Sequence, residues 1–154
     1  MIIRFAGMED EMVLGELLRI KGTKTIFKVG SDDSIAQAST MLTDNKVGAL
    51  LVEDSNGNIV GILSERDIVG GMGPHGADLH DVRVSELMTA DPTRCSPSDT
   101  VLQAMAMMTD RRFRHLPVFE GEELVGFISI GDLVKCRIAE VQLEAEAMRA
   151  YIAS

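Results

Sequence analysis

Tryptophan is missing from this sequence, tyrosine occurs once and phenylalanine five times, whereas methionine occurs ten times and apolar residues fill 45% of 154 positions. A core drawn from that stock is aliphatic, with methionine filling irregular gaps and tolerating small shifts in packing. Basic residues are also short: 15 Lys and Arg stand against 24 Asp and Glu, for a net charge of −9 and an isoelectric point near 4.7. That balance argues against nucleic acid and against an anionic membrane surface, since both require clustered cations. A small anionic ligand is not excluded, because it answers to local charge. Cysteine occurs twice, at Cys95 and Cys136, without CxxC spacing or a histidine cluster, so neither zinc nor redox chemistry is suggested. His75 and His80 have no third ligand in view, and no metal site is expected. No run approaches the roughly 18 apolar residues of a membrane span. Met1–Ala6 is too short for a signal-peptide core. These absences together predict a cytoplasmic, reduced protein. No nucleophile–base pair, metal constellation or isolated carboxylate pair is legible, so an enzyme is disfavoured.

What is present is a duplication. Gly61-Ile62-Leu63-Ser64-Glu65-Arg66-Asp67-Ile68-Val69 and Gly126-Phe127-Ile128-Ser129-Ile130-Gly131-Asp132-Leu133-Val134 share one pattern: glycine, two apolar residues, serine, two variable residues, aspartate, two apolar residues. The apolar pair suits a buried strand, and the serine suits a helix N-cap. Free N–H groups at a helix start also seat phosphate, and an aspartate in the first turn offers acceptors to a ribose diol. The plainer alternative is a capped helix whose aspartate complements the dipole. The repeat extends further: Ser34–Ala38 corresponds to Thr100–Ala104 and Val52 to Val118, both at an offset of 66. Apolar or small residues at 35, 38, 39 and 42, matched by 101, 104, 105 and 108, predict an amphipathic helix in each copy. Strands are predicted at Ala49–Val52 and Leu116–Phe119, with extended pieces ahead of the helices at Thr25–Val29 and Thr93–Cys95. A repeat of about 65 residues buries too little surface alone, so the copies are expected to share a core.

Along the chain, residues 1–11 precede the repeat and are expected to fray. Residues 12–20 read as a short helix ended by Lys21-Gly22. Gly70–Gly76 is the clearest break and reads as a linker. Val84–Thr89 reads as a short helix introducing the second copy, and Asp91 before Pro92 is expected to be extended. Arg111, Arg112, Arg114 and His115 form the one basic cluster, with a solvated loop after a helix end as the alternative to a binding role. The last helix is predicted from Asp132 to about Ala153. Its Val134, Ile138, Val141, Ala145, Met148 and Ile152 recur in a heptad rhythm.

The two Gly-x-x-Ser-x-x-Asp stretches, Val47–Val52 and Arg112-Phe113-Arg114-His115-Leu116-Pro117-Val118 resemble a tandem pair of CBS domains, a Bateman module. The similarity covers about Val13 to Ile152 and is strongest to small stand-alone bacterial CBS-pair proteins. It implies an α+β fold of two β-α-β-β-α repeats about a pseudo-twofold, with sheets packed together and a long C-terminal helix. The expected segments are an N-terminal extension and helix (1–20), a first CBS domain (21–72), a linker (73–83) and a second CBS domain with the extended helix (84–154). The resemblance also implies a ligand: an adenine nucleotide, AMP foremost, with NAD(H), ADP or ATP as alternatives, and no metal. Ribose would be held by Asp67 and Asp132, and phosphate by Ser64, Ser129, Arg114 and His115. Arg112 and Arg66 would add basic groups, Gly48 and Ala49 room for the base, and Thr25, Ile26 and Thr93 backbone contacts to adenine. The clefts would be unequal, with Arg114-His115 where the first copy has Gly48-Ala49, and Arg66 where the second has Gly131.

Three functions compete: a regulatory nucleotide-binding module acting on a separate effector protein, a ligand-free dimerisation scaffold, and, least supported, an enzyme. Two aspartates in register favour the first, because a scaffold has no need of both. A homodimer is expected, with the terminal helices at or near the contact; the alternative folds that helix back on Val13–Ile20.

Overall fold

The protein is described from a computed structural model, in which residues 11–22 and 26–154 are placed. In chain order the elements are α1 (Leu14–Lys21), β1 (Lys28–Gly30), α2 (Ile35–Asn45), β2 (Ala49–Glu53), β3 (Ile59–Ser64), α3 (Glu65–His75), α4 (Val84–Leu87), β4 (Thr89–Ala90), α5 (Val101–Arg111), β5 (His115–Glu120), β6 (Glu123–Ser129) and α6 (Ile130–Ala153). The class is α+β, with two sheets and a long terminal helix. The chain divides into two compact units: one runs to Thr93 and holds the first repeat, and the other joins Arg94–Ser154 to the N-terminal helix.

In the unit of the first repeat, β1 lies parallel to β2, β2 antiparallel to β3, and β3 antiparallel to β4. The parallel β1–β2 pair requires a crossover, and α2 supplies it. Ser34 starts α2: its hydroxyl accepts from the Gln37 N–H, and the Gln37 side chain accepts from the Ser34 N–H. Such a reciprocal cap satisfies two otherwise orphaned donors. The apolar face of α2 (Ile35, Ala38, Leu42) packs with Val29, Leu50, Val52, Leu63, Val82 and Val84. Each fully buried Leu, Ile or Val contributes about 1.5–3 kcal/mol, so this cluster, rather than helix propensity, holds the element in place.

The unit of the second repeat follows the same plan. Thr100 caps α5 with Gln103, and Val101, Ala104 and Met108 pack against Leu116, Val118, Ile128 and Leu133. The β5–β6 hairpin shifts register after Val118, as β2–β3 does after Val52. The partner of β1 is reduced to one parallel bridge, Cys95 to Val118, matching Val29 to Val52. Cys95 is buried there as a small apolar residue, and burial, with Asp99 nearby, pushes its thiol up to about 11.

The helix introducing each repeat packs in the unit of the other. Helix α1 buries Leu14 and Leu17 among the second-repeat core, and Val13 bridges Thr100. Helix α4 buries Val84 in the first-repeat core, and Arg83 bridges Ser34. The two glycines of the duplicated motif follow from this. A Cβ on Gly126 would lie 2.5 Å from the Leu18 side chain, and one on Gly61 2.5 Å from the Met88 sulfur and 2.9 Å from the Thr89 carbonyl oxygen. Glycine lets α1 press onto β6, and lets Met88 and the start of β4, just past α4, lie close over β3.

Two local expectations are corrected. Gly70–Gly76 is not a break in secondary structure: α3 continues through it to His75, and a 3-10 turn covers Gly76–Asp81. Packing overrides the poor propensity of glycine, since Gly71 is buried with Leu79 and Leu87 close enough to bar a side chain. Asp91 is left-handed, with φ of 49°, rather than extended. Aspartate tolerates that region better than most residues, and its N–H donates to the Val60 carbonyl. The expected fraying of residues 1–11 falls, for 1–10, outside the described residues, as does Thr25.

Candidate functional site: two capped strand–helix corners

Each duplicated motif forms a corner where a strand ends and a helix begins. In the first repeat the Ser64 hydroxyl accepts from the Asp67 N–H at 3.2 Å, while Asp67 Oδ2 accepts from the Ser64 N–H at 2.8 Å and lies 3.0 Å from the Ser64 hydroxyl. In the second, the Ser129 hydroxyl accepts from the Asp132 N–H at 3.2 Å and Asp132 Oδ2 accepts from the Ser129 N–H at 2.9 Å. Both pairs are half-buried. The bonds consume Oδ2 of each aspartate, so a sugar hydroxyl would have to approach Oδ1.

The neighbouring strand completes each corner. Ala49 pairs with Ser64 and His115 with Ser129. The Gly48 carbonyl accepts from the Glu65 N–H at 3.0 Å, and the Arg114 carbonyl from the Ile130 N–H at 2.8 Å. Backbone geometry is thus shared and side chains are not. Gly48 is half-buried and Ala49 buried. His115 is half-buried, its ring 5.5 Å from that of Phe127. Burial pulls the His115 pKa below its usual 6.5; Asp132 opposes this, and Lys21 and Arg114 reinforce it. Arg114 is exposed, and so is Arg112, which closes α5 in left-handed geometry at φ of 57°, as Lys46 closes α2 at 53°. Arg66 is exposed in the first turn of α3.

Ser129, Asp132, Arg112, Arg114 and His115 therefore lie in one unit, and Ser64, Arg66, Asp67, Gly48 and Ala49 in the other. Ile26 is half-buried, two residues ahead of β1, and Thr93 ends the first-repeat unit, also half-buried.

One residue at the second corner was not legible in sequence. Lys21, the last residue of α1, donates from Nζ to Asp132 Oδ2 at 2.7 Å and to the Phe127 carbonyl at 3.0 Å. Both charged side chains are 20% exposed. Burial pushes the Asp132 pKa up, but the Lys21 hydrogen bond and those from Ser129 outweigh it, and the carboxyl is held below its usual 3.8. Among the described residues no group of three His, Cys, Asp or Glu is placed to hold a metal, and no helix is long and apolar enough to cross a membrane.

Comparison with known proteins places these corners in a wider setting. The CBS domain family profile matches residues 16–73 and 84–138. A CBS-domain containing protein from Agrobacterium tumefaciens is 40% identical, superposes with a TM-score of 0.79, and the match covers 88% of this chain and 99% of that one. An Arabidopsis thaliana protein, CBS domain-containing protein CBSX3, mitochondrial, is 33% identical over 79% of this chain. The chain spans 61% of the length of that plant protein and 30% of a matching Thermofilum pendens protein. The CBS domain pair of protein MJ0100, solved in complex with 5-methylthioadenosine and S-adenosyl-L-methionine, shares the fold at a TM-score of 0.73 and 19% identity, over 85% of this chain and 99% of that one.

Proposed function

This chain belongs to the CBS-domain family, with two CBS domains in tandem, and on that premise we propose that it is a regulatory module that binds an adenine nucleotide and acts on a partner protein. The observation that carries the reading is the pair of capped Ser-x-x-Asp corners, each with an aspartate Oδ1 beyond the cap bonds. Asp67 and Asp132 hold ribose hydroxyls; Ser64, Ser129, Arg66, Arg112, Arg114 and His115 serve phosphate; Gly48, Ala49, Thr25, Ile26 and Thr93 border the base. AMP is the first candidate, with NAD(H), ADP and ATP following. The adenosine ligands bound by MJ0100 lend support to the ligand class. The role is binding rather than catalysis, and free Cys95 and Cys136 suit a cytoplasmic setting.

Calorimetry with AMP, ATP and NAD decides the ribose assignment. Loss of a hydrogen-bonded acceptor costs about 1–3 kcal/mol, so Asp132→Ala and Asp67→Ala should each weaken binding. Parent affinity in both variants removes the assignment.

A second reading, a ligand-free dimerisation scaffold, has one observation in its favour: the reciprocal caps give Ser64, Asp67, Ser129 and Asp132 a structural use. Absence of binding to all three nucleotides would select it. Both readings include a homodimer. Helix α6 buries Leu133 and lays Cys136 on Met12 with sulfurs 3.1 Å apart, but Ile138, Val141, Met148 and Ile152 beyond are exposed. Contact with the N-terminal segment thus accounts for its first turns, and we assign the remaining stripe to a second copy, two-fold pairing being the commonest closed symmetry. Light scattering of the chain and of a truncation after Ile138 tests this: a truncated dimer places the interface elsewhere, and a monomeric parent removes it.

A further inference from the structure

We infer that Lys21 determines ligand choice at the second-repeat corner, favouring a nucleotide whose phosphate lies next to the ribose over the unphosphorylated nucleoside. The inference rests on the adenine-nucleotide reading and adds a residue that reading did not contain.

Lys21 reaches this corner from outside the repeat that forms it. Its Nζ is fixed by two acceptors, the Asp132 carboxylate at 2.7 Å and the Phe127 backbone carbonyl at 3.0 Å. An ammonium has three donors. Among the described residues these two acceptors engage two of them, which leaves one for an acceptor that arrives. The side chain is only 20% exposed, so its charge is weakly screened by solvent yet open to a ligand on that side.

Charge explains why the lysine matters for choice rather than for binding in general. A lone Asp132 can accept from ribose hydroxyls, but its negative charge repels a phosphate attached to the same sugar. Lys21 cancels that charge without using Oδ1, since its contact is to Oδ2. Asp132 remains an acceptor for the diol, while the corner stops opposing an anion. Arg114 and Arg112 lie on the adjoining segment and are exposed, so the local balance turns positive in a chain of net charge −9. In the unit of the first repeat Met88 covers Gly61 as Leu18 covers Gly126. Three residues beyond each, Lys21 is matched by Asp91, a residue of opposite charge. The discrimination is therefore a property of the second corner.

The test is calorimetry on the full chain with AMP and adenosine, in an Asp67→Ala background that silences the first corner. Lys21→Met should lower the preference for AMP over adenosine by on the order of tenfold, the scale of one charge-assisted hydrogen bond. Adenosine affinity should stay the same or rise. Lys21→Arg should restore part of the preference, and thermal melts verify that each variant is folded. An unchanged AMP-to-adenosine ratio, or equal loss of both ligands, overturns the inference and leaves the nucleotide reading standing. A parent chain that binds neither ligand overturns both. If Lys21→Met does not fold, Lys21→Gln, which keeps a donor for Asp132 without the charge, is read by the same ratio.

Discussion

The corner at Ser64 and the corner at Ser129 have the same backbone and the same reciprocal cap, and they differ in what stands beside it. Ala49 faces Ser64 where His115 faces Ser129, and Gly48 lends the carbonyl that Arg114 lends in the second repeat. Asp132 is held by a lysine from α1, whereas the position matched to that lysine is Asp91, in a left-handed turn. Hydrogen bonds local to four residues have kept the corners alike. Charge, which acts over longer distances and comes from other elements, separates them. Duplication supplied one scaffold, and residues outside the motif turned it into two chemically different corners.

The largest test of this comparison concerns the motif glycines, Gly126 under α1 and Gly61 under Met88 and Thr89. Gly61→Ala should destabilise by about 1–3 kcal/mol, as overpacking does, because the new Cβ meets the Thr89 backbone oxygen as well as Met88. Gly126→Ala should cost less, since the atoms it meets belong to the Leu18 side chain, which can turn aside. Equal losses in chemical denaturation would show that the two contacts are equally rigid.

Smaller effects are expected from the caps. Ser64→Ala and Ser129→Ala should each cost about 1 kcal/mol, the usual loss for an N-cap. A larger loss at Ser129 would mean that the cap there also holds the Lys21–Asp132 pair in place; matched losses would make cap and ion pair independent. Either result can be read from the urea midpoint at constant slope.

The smallest concerns pH, where the first repeat has no counterpart because Ala49 does not titrate. Burial lowers the His115 pKa below 6.5, so the unfolded chain takes up a proton that the folded chain resists. Stability therefore rises with pH wherever the unfolded state binds more protons. This contribution is whole above pH 6.5 and is lost as pH falls from there toward the folded pKa. The slope of melting temperature against pH in that window should flatten in His115→Ala. An unchanged slope would place the responsible groups elsewhere.

Much of this was legible in the chain itself. The four residues of Ser-x-x-Asp and of Ser34-x-x-Gln37 contain both halves of each cap, so helix starts follow from neighbours. Helix faces follow from periodicity, and Leu42 and Met108 are buried where it puts them. The glycine-rich run at 70–76 misled for a physical reason: a weak helix former stays helical when its lack of a side chain admits Leu79 and Leu87.

Sequence by itself determined the duplication, the capped corners, the amphipathic helices and the family, because each is written in residues a few positions apart or in a repeated pattern. Tertiary structure decided that each introducing helix serves the opposite repeat, and hence that Lys21 meets Asp132 across 111 positions of chain. That pairing has no local signature. A lysine before a glycine at a helix end looks like any basic residue complementing a helix dipole, and its partner is selected only when α1 buries Leu14 and Leu17 in the second-repeat core and carries the ammonium to the carboxylate.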